Sequence, residues 1–140
     1  MLAAAALFLA ACAAPAHGSA DYAAKAAQTA KAAASDVATA LVAARLGGQG
    51  RAWRPYVDVV LSNAEDDLSS VIDTFDSVQP PTPADDRLRE RLDGVLQKAD
   101  SVVSDLRIEV RRSGGGALPS LARQLDPVAR ELQQLAAPAS

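Results

Sequence analysis

Apolar residues recur at intervals of three and four along four segments of this chain, and clusters of glycine or proline separate the segments. The second segment has the clearest repeat, which keeps its spacing without a slip through Val57, Leu61, Ala64, Leu68, Val71, Phe75 and Val78. This spacing puts the apolar side chains on one face of an α-helix. No segment shows the strict alternation of a half-buried strand. The pattern therefore predicts an all-α fold.

The four segments run over about residues 20–46, 53–78, 84–112 and 118–136, with breakers at 47–50, 79–83 and 113–116. Short connections make neighbouring helices antiparallel. We therefore expect an up-down-up-down four-helix bundle, formed by residues 20–140. A single long coiled coil is the alternative, which the proline-rich and glycine-rich turns disfavour, and the oligomeric state stays open.

Two of the helices have unusual sequences. The inner row of the first is mostly alanine, which lets helix backbones approach closely but buries little area. The fourth contains Pro127, which removes a backbone hydrogen bond and clashes with the preceding turn. We expect Pro127 to kink this helix, or Asp126 and Pro127 to begin a separate short helix.

At the start of the third helix, Asp85 and Asp86 are expected to complement the helix dipole.

The segment before the bundle carries a different signal. An apolar run from Leu2 to Ala10 leads into Leu9-Ala10-Ala11-Cys12, which resembles the lipobox of a bacterial lipoprotein signal. The resemblance covers residues 2–12 and implies that residues 1–11 are a signal peptide that is removed. Cys12 would then carry the lipid, with fatty acids such as palmitate, and residues 12–19 would form a tether. The composition also resembles that of actinobacterial lipoproteins.

This resemblance implies a protein anchored to the cell membrane on its extracytoplasmic face. Two acyl chains hold a protein on a bilayer far more firmly than one. No basic residue precedes the apolar run, as such signals normally require, and a start codon upstream of Met1 would explain this. The alternative is that residues 2–14 begin a buried helix with Cys12 in the core. A transmembrane span would need about 20 apolar residues, more than this run contains.

The search for catalytic chemistry gives no candidate. The single histidine, His17, lies in the tether, and the single cysteine is the expected lipid site. Neither glycine cluster is followed by the Lys-Ser/Thr of a phosphate-binding loop. A run of carboxylates on the second helix is interpreted as a solvated face: Asp58, Glu65, Asp66, Asp67, Asp73 and Asp76. We expect no enzyme activity, no metal and no cofactor, and the net charge of −3 argues against nucleic acid as a partner.

One group of residues suggests a binding surface. In an up-down-up-down bundle, the loops after the first and third helices lie at the same end, away from the tether. Arginines and aromatic residues would gather there: Arg45, Arg51, Trp53, Arg54, Tyr56, Arg111 and Arg112. Tryptophan and arginine are frequent anchors of protein interfaces. The alternative is that the arginines complement helix dipoles and that Trp53 covers the core.

Two classes of function follow from these observations. The first is a non-enzymatic adaptor or scaffold in the cell envelope, which binds an envelope protein or a wall component at its distal end. The alternative is a carrier that holds a small apolar ligand between its helices, where the alanines of the first helix leave room.

Overall fold

Four helices make up the bundle. The computed structural model describes residues 18–137, in which all regular structure is helical. The helices are α1 (Ser19–Gly48), α2 (Arg54–Asp76), α3 (Pro83–Ser113) and α4 (Leu118–Ala136). Each helix packs against the next and α4 packs against α1, while α1 and α3 also touch across the bundle. This is the four-helix bundle that the apolar spacing predicts.

Alanine allows α1 to reach across the bundle. Six of the nine buried residues of α1 are alanines. Their side chains end at Cβ, so the leucines and valines of α2, α3 and α4 fill the space around them and form one continuous core. The diagonal contact between α1 and α3 follows from this small cross-section. Among the described residues, α2 and α4 make no corresponding contact.

Six of the eight helix boundaries differ from the prediction by one or two residues, and only those of α4 agree with it. Ser19, which we assigned to the tether, is the first residue of α1, because the Tyr22 amide closes a turn on the Gly18 carbonyl at 3.0 Å. At its other end α1 continues through Gly47 and Gly48. A Cβ atom at Gly47 would lie 3.2 Å from Leu118 Cδ1, so glycine there permits close approach to α4. The glycine of this loop that has a positive φ, 66°, is Gly50, after the end of the helix.

The fourth helix is continuous through Pro127, so of the two alternatives, a kink or a separate short helix, the separate helix is wrong. Pro127 is exposed, and so is Arg123, whose carbonyl would otherwise accept the missing hydrogen bond. Water can satisfy a carbonyl on this outer face. The inner face keeps its packing through Leu125 and Val128, which are both buried.

Asp85 joins the starts of α1 and α3. Its carboxylate accepts hydrogen bonds from the hydroxyls of Thr82, at 2.6 Å, and Ser19, at 2.7 Å. Thr82 is the N-cap of α3, and its side-chain oxygen accepts from the Asp85 amide. Asp85 therefore caps the helix, as expected, and also links it to α1. These hydrogen bonds, first from Thr82 and then from Ser19, lower the pKa of Asp85.

This arrangement predicts a stability difference that depends on pH. Because the folded pKa is lowered, the stabilisation by Asp85 is present above the usual carboxyl pKa of about 4 and is lost as the pH falls through the folded value. Asp85→Asn is expected to be less stable than the wild type at about pH 7, and this gap should narrow towards about pH 2. Urea unfolding at both values measures it. Asp86→Asn controls for removing one first-turn charge, and an equal gap at both pH values would contradict the assignment.

Tyr22 is the largest polar residue in the core. It is fully buried, and its ring packs against Phe75 with 5.8 Å between the ring centroids. Within residues 18–137, its hydroxyl has no hydrogen-bond partner. Burial raises the pKa of Tyr22 because the phenolate would be poorly solvated. An unpaired buried hydroxyl destabilises the fold.

Removing this hydroxyl should therefore stabilise the bundle. We expect Tyr22→Phe to raise the free energy of unfolding by about 1 kcal/mol, as measured by urea denaturation. Tyr22→Leu, which also loses the aromatic pair, should lower it. A loss of stability in the phenylalanine variant would show that the hydroxyl is hydrogen-bonded in solution.

The expected signal and lipid site lie outside the described residues. Residues 1–11, Cys12 and His17 all fall before residue 18. Between residues 18 and 137, no helix is long and apolar enough to cross a membrane.

Candidate functional site

The loop after α1 meets the end of α3. Arg54, the first residue of α2, donates from Nε to the Val110 carbonyl and from Nη2 to the Arg111 carbonyl, each at 2.6 Å. The last carbonyls of a helix have no partner within the helix. One guanidinium thus satisfies two of them and fixes the two loops at the same end of the bundle. Arg54 has a structural role there.

Two further arginines of this end make ion pairs between helices. Arg45, in the last turn of α1, contacts Asp126 of α4 at 2.7 Å. Arg111, in the last turn of α3, contacts Asp58 of α2 at 2.9 Å. Both pairs are partly exposed and stabilise the fold by little. They do orient the two guanidinium groups towards the bundle.

The other two arginines of the predicted binding end remain available. Arg51 and Arg112 are exposed. The hydrogen bonds and ion pairs found within residues 18–137 involve neither side chain. Of the five arginines expected here, these two are therefore able to contact an anionic partner without breaking an interaction of the fold.

Trp53 and Tyr56 are the most exposed aromatic residues of the described chain. Trp53 is 76% exposed, so it does not cover the core, and Tyr56 is 59% exposed. Val42 of α1, 56% exposed, lines a depression of ≈ 390 Å³ together with Tyr56. Val59, 57% exposed, lies one turn beyond Tyr56. We call these four residues the distal patch: Val42, Trp53, Tyr56 and Val59.

The distal patch concentrates the exposed apolar surface of the bundle. Four of the five large apolar side chains that are exposed between residues 18 and 137 belong to it, and the fifth is Ile108 of α3. Soluble proteins rarely group such side chains unless the surface has a partner. Within the patch, Val42 and Tyr56 line the depression between α1 and α2, whereas the bonds of Arg54 and Arg111 join α2 to α3.

Val42 and Val59 were missed by the sequence analysis. Each is apolar but lies outside the inner row of its helix, and the spacing of the apolar repeat shows this from the sequence alone. The sequence analysis gave them no role, because the helix period alone does not say how far an apolar stripe is covered by the neighbouring helices. The position of the neighbouring helix decides whether such a residue is covered, and only the structure shows that position.

The carboxylates of α2 divide into two groups. Glu65 pairs with Arg107, Asp58 with Arg111 and Asp76 with Arg89. These pairs join α2 to α3. Asp66, Asp67 and Asp73 are exposed, as expected of a solvated face.

Asp67 also influences a carboxylate of α1. Partial burial raises the pKa of Asp36, and the nearby charge of Asp67 adds to this effect. Over residues 18–137, no group of three or more potential metal ligands comes together.

Comparisons with protein-family models, with curated proteins and with solved structures gave no match to this chain.

The different roles of Arg54 and Trp53 can be tested by thermodynamics. Arg54→Ala leaves two helix carbonyls without a donor, so it should lower the free energy of unfolding by about 1–2 kcal/mol. Trp53→Ala should change it by less than about 0.5 kcal/mol, because the side chain is exposed. Chemical denaturation of both variants measures the difference. Equal losses would mean that Trp53 is part of the packing or that Arg54 is not a cap.

Proposed function

We propose that this chain is an extracytoplasmic protein held on the membrane by a lipid on Cys12, and that its distal patch binds an envelope protein or a wall component without catalysing a reaction. The observation that carries the binding role is the exposure of Val42, Trp53, Tyr56 and Val59 at one end of the bundle. The lipobox-like sequence at Leu9-Ala10-Ala11-Cys12 supports the anchor.

The chemistry of the distal patch suits a protein interface. Tryptophan and tyrosine bring large contact areas with few rotatable bonds, and they are enriched among the residues that dominate binding energy. In the free protein these rings are in water, so their burial against a partner gains hydrophobic free energy. Arg51 and Arg112 add positive charge at the same end. A partner with an apolar surface and neighbouring carboxylates or phosphates would complement both features.

The separation between anchor and patch also supports this role. The first residue of α1, Ser19, follows the tether, and the distal patch lies near the other end of that helix. A helix of 30 residues is about 45 Å long. A lipid on Cys12 would therefore present the patch well above the membrane surface, within reach of a partner in the envelope.

Site-specific crosslinking in the cells that make the protein tests the binding role. A photoreactive benzoyl-phenylalanine in place of Tyr56 should give one discrete adduct with a second envelope molecule. Val42→Asp, which puts a charge into the patch at an exposed position, should reduce the adduct at least tenfold. The membrane association of the protein should be unchanged, because the patch lies away from the tether.

The matched control carries the same photoreactive residue in place of Gln124, an exposed position near the start of α4. It lies at the same end of the bundle on a different face and should give no such adduct. Equal crosslinking from both positions, or an adduct that Val42→Asp does not reduce, would contradict a specific role of the distal patch.

A further inference from the structure

A groove lies at the opposite end, where the tether joins the bundle. It has a volume of ≈ 790 Å³, which is within the range of sites for small ligands. Its first wall is formed by alanines in the first three turns of α1: Ala20, Ala23, Ala24, Ala26 and Ala27. We call it the tether-end groove.

Leucines and the end of α4 complete the tether-end groove. Leu88 and Leu92 of α3 and Leu135 of α4 face the alanines. Leu92 is fully buried, whereas Leu88 and Leu135 stay partly exposed because the alanine side chains stop at Cβ and do not cover them. A molecule that covered this surface would gain hydrophobic free energy in proportion to the apolar area it buries.

Two polar side chains line the groove, Arg91 and Gln134. Other arginines of α3 pair with carboxylates: Arg89 with Asp76 and Asp93, Arg107 with Glu65. The ion pairs and hydrogen bonds found within residues 18–137 do not include Arg91, and they also omit Arg87 and Arg112 of the same helix. Glu131 borders a smaller adjoining depression with Arg91 and Gln134 but forms no ion pair with it.

We propose that the tether-end groove binds a long-chain fatty acid. The acyl chain would lie between the alanines of α1 and the leucines of α3 and α4. The carboxylate would accept hydrogen bonds from the guanidinium of Arg91, which suits a planar two-oxygen acceptor, and from the amide of Gln134.

The number and kind of polar groups favour this ligand over a phospholipid. The groove offers one cation, Arg91, with one amide, Gln134, which suits one singly charged head. Such a site gives the bundle the carrier role that the alanines of the first helix suggested. The inference does not depend on lipidation of Cys12 or on the role of the distal patch.

Titration of the full-length protein with palmitic acid, by displacement of a fluorescent fatty acid, tests the proposal. Palmitic acid should bind with one molecule per chain. Hexadecanol, which has the same chain length but no charge, should bind at least tenfold more weakly. Arg91→Gln should weaken palmitic acid binding about tenfold and leave hexadecanol binding unchanged. Arg87→Gln, an exposed arginine one turn earlier on α3 that does not line the groove, controls for net charge.

A second pair of variants tests the groove itself. Ala27→Phe puts a ring into the tether-end groove and should reduce binding of palmitic acid at least tenfold. Ala32→Phe makes the same change on the flank of α1 that faces α2 and should have no effect. Circular dichroism verifies that both variants are folded, and Ala23→Phe replaces Ala27→Phe if the latter is not. Absence of binding to the wild type, equal binding of acid and alcohol, or full binding by a folded groove-filling variant would each overturn the proposal.

Discussion

The close approach of α1 to its neighbours is the constraint on which the rest of the bundle depends. Its row of buried alanines gives this helix a small cross-section, so it packs against α2 and α4 and also reaches α3 across the core. Gly47 extends the same principle to the last turn, where α1 meets the first turn of α4. A larger residue in this row would separate the helices and expose the leucines that now surround α1. A second set of alanines in α1, which shares only Ala26 with the buried row, lines the tether-end groove.

The two ends of the bundle are held by different polar interactions. At the tether end, the buried carboxylate of Asp85 joins the starts of α1 and α3 through the hydroxyls of Ser19 and Thr82. At the distal end, the guanidinium of Arg54 joins the start of α2 to the last turn of α3. Arg54 satisfies carbonyls that the end of α3 leaves without partners, and the Thr82 hydroxyl held by Asp85 accepts from a first-turn amide of α3. The apolar surfaces proposed to bind partners lie beside these fixed points, so they are presented on rigid elements.

The sequence predicted the helices well because their apolar repeats and their breakers agree. The repeat of α2, from Val57 to Phe75, identifies one helix, and the prolines at 80, 81 and 83 end it within a few residues. The effect of Pro127 on α4 was harder to predict. A proline destabilises a helix less where the carbonyl that it leaves unpaired faces water, and a single sequence does not show which way this carbonyl faces. The end of α1 at Gly48 depends on contacts with Leu118. Its start at Ser19 depends on the hydrogen bond that the Gly18 carbonyl accepts.

The candidate sites were less predictable for the same reason. Topology brought the arginines and aromatic residues to one end, but their roles depend on distances that the sequence does not contain. Arg54, Arg45 and Arg111 proved to be tied to carbonyls and carboxylates on other helices, while Trp53 and Tyr56 are exposed. The exposure of Val42 and the groove beside Ala27 arise from the spacing between neighbouring helices. Function therefore has to be argued from these surfaces.

The most direct test of the account is the mass of the intact protein extracted in mild detergent from the membrane of the cells that make it. We predict a mature chain that begins at Cys12 and carries a diacylglyceryl group with a further fatty acid, together with a complex that retains a second envelope molecule. An unprocessed chain without a lipid, recovered from the soluble fraction, would contradict the account.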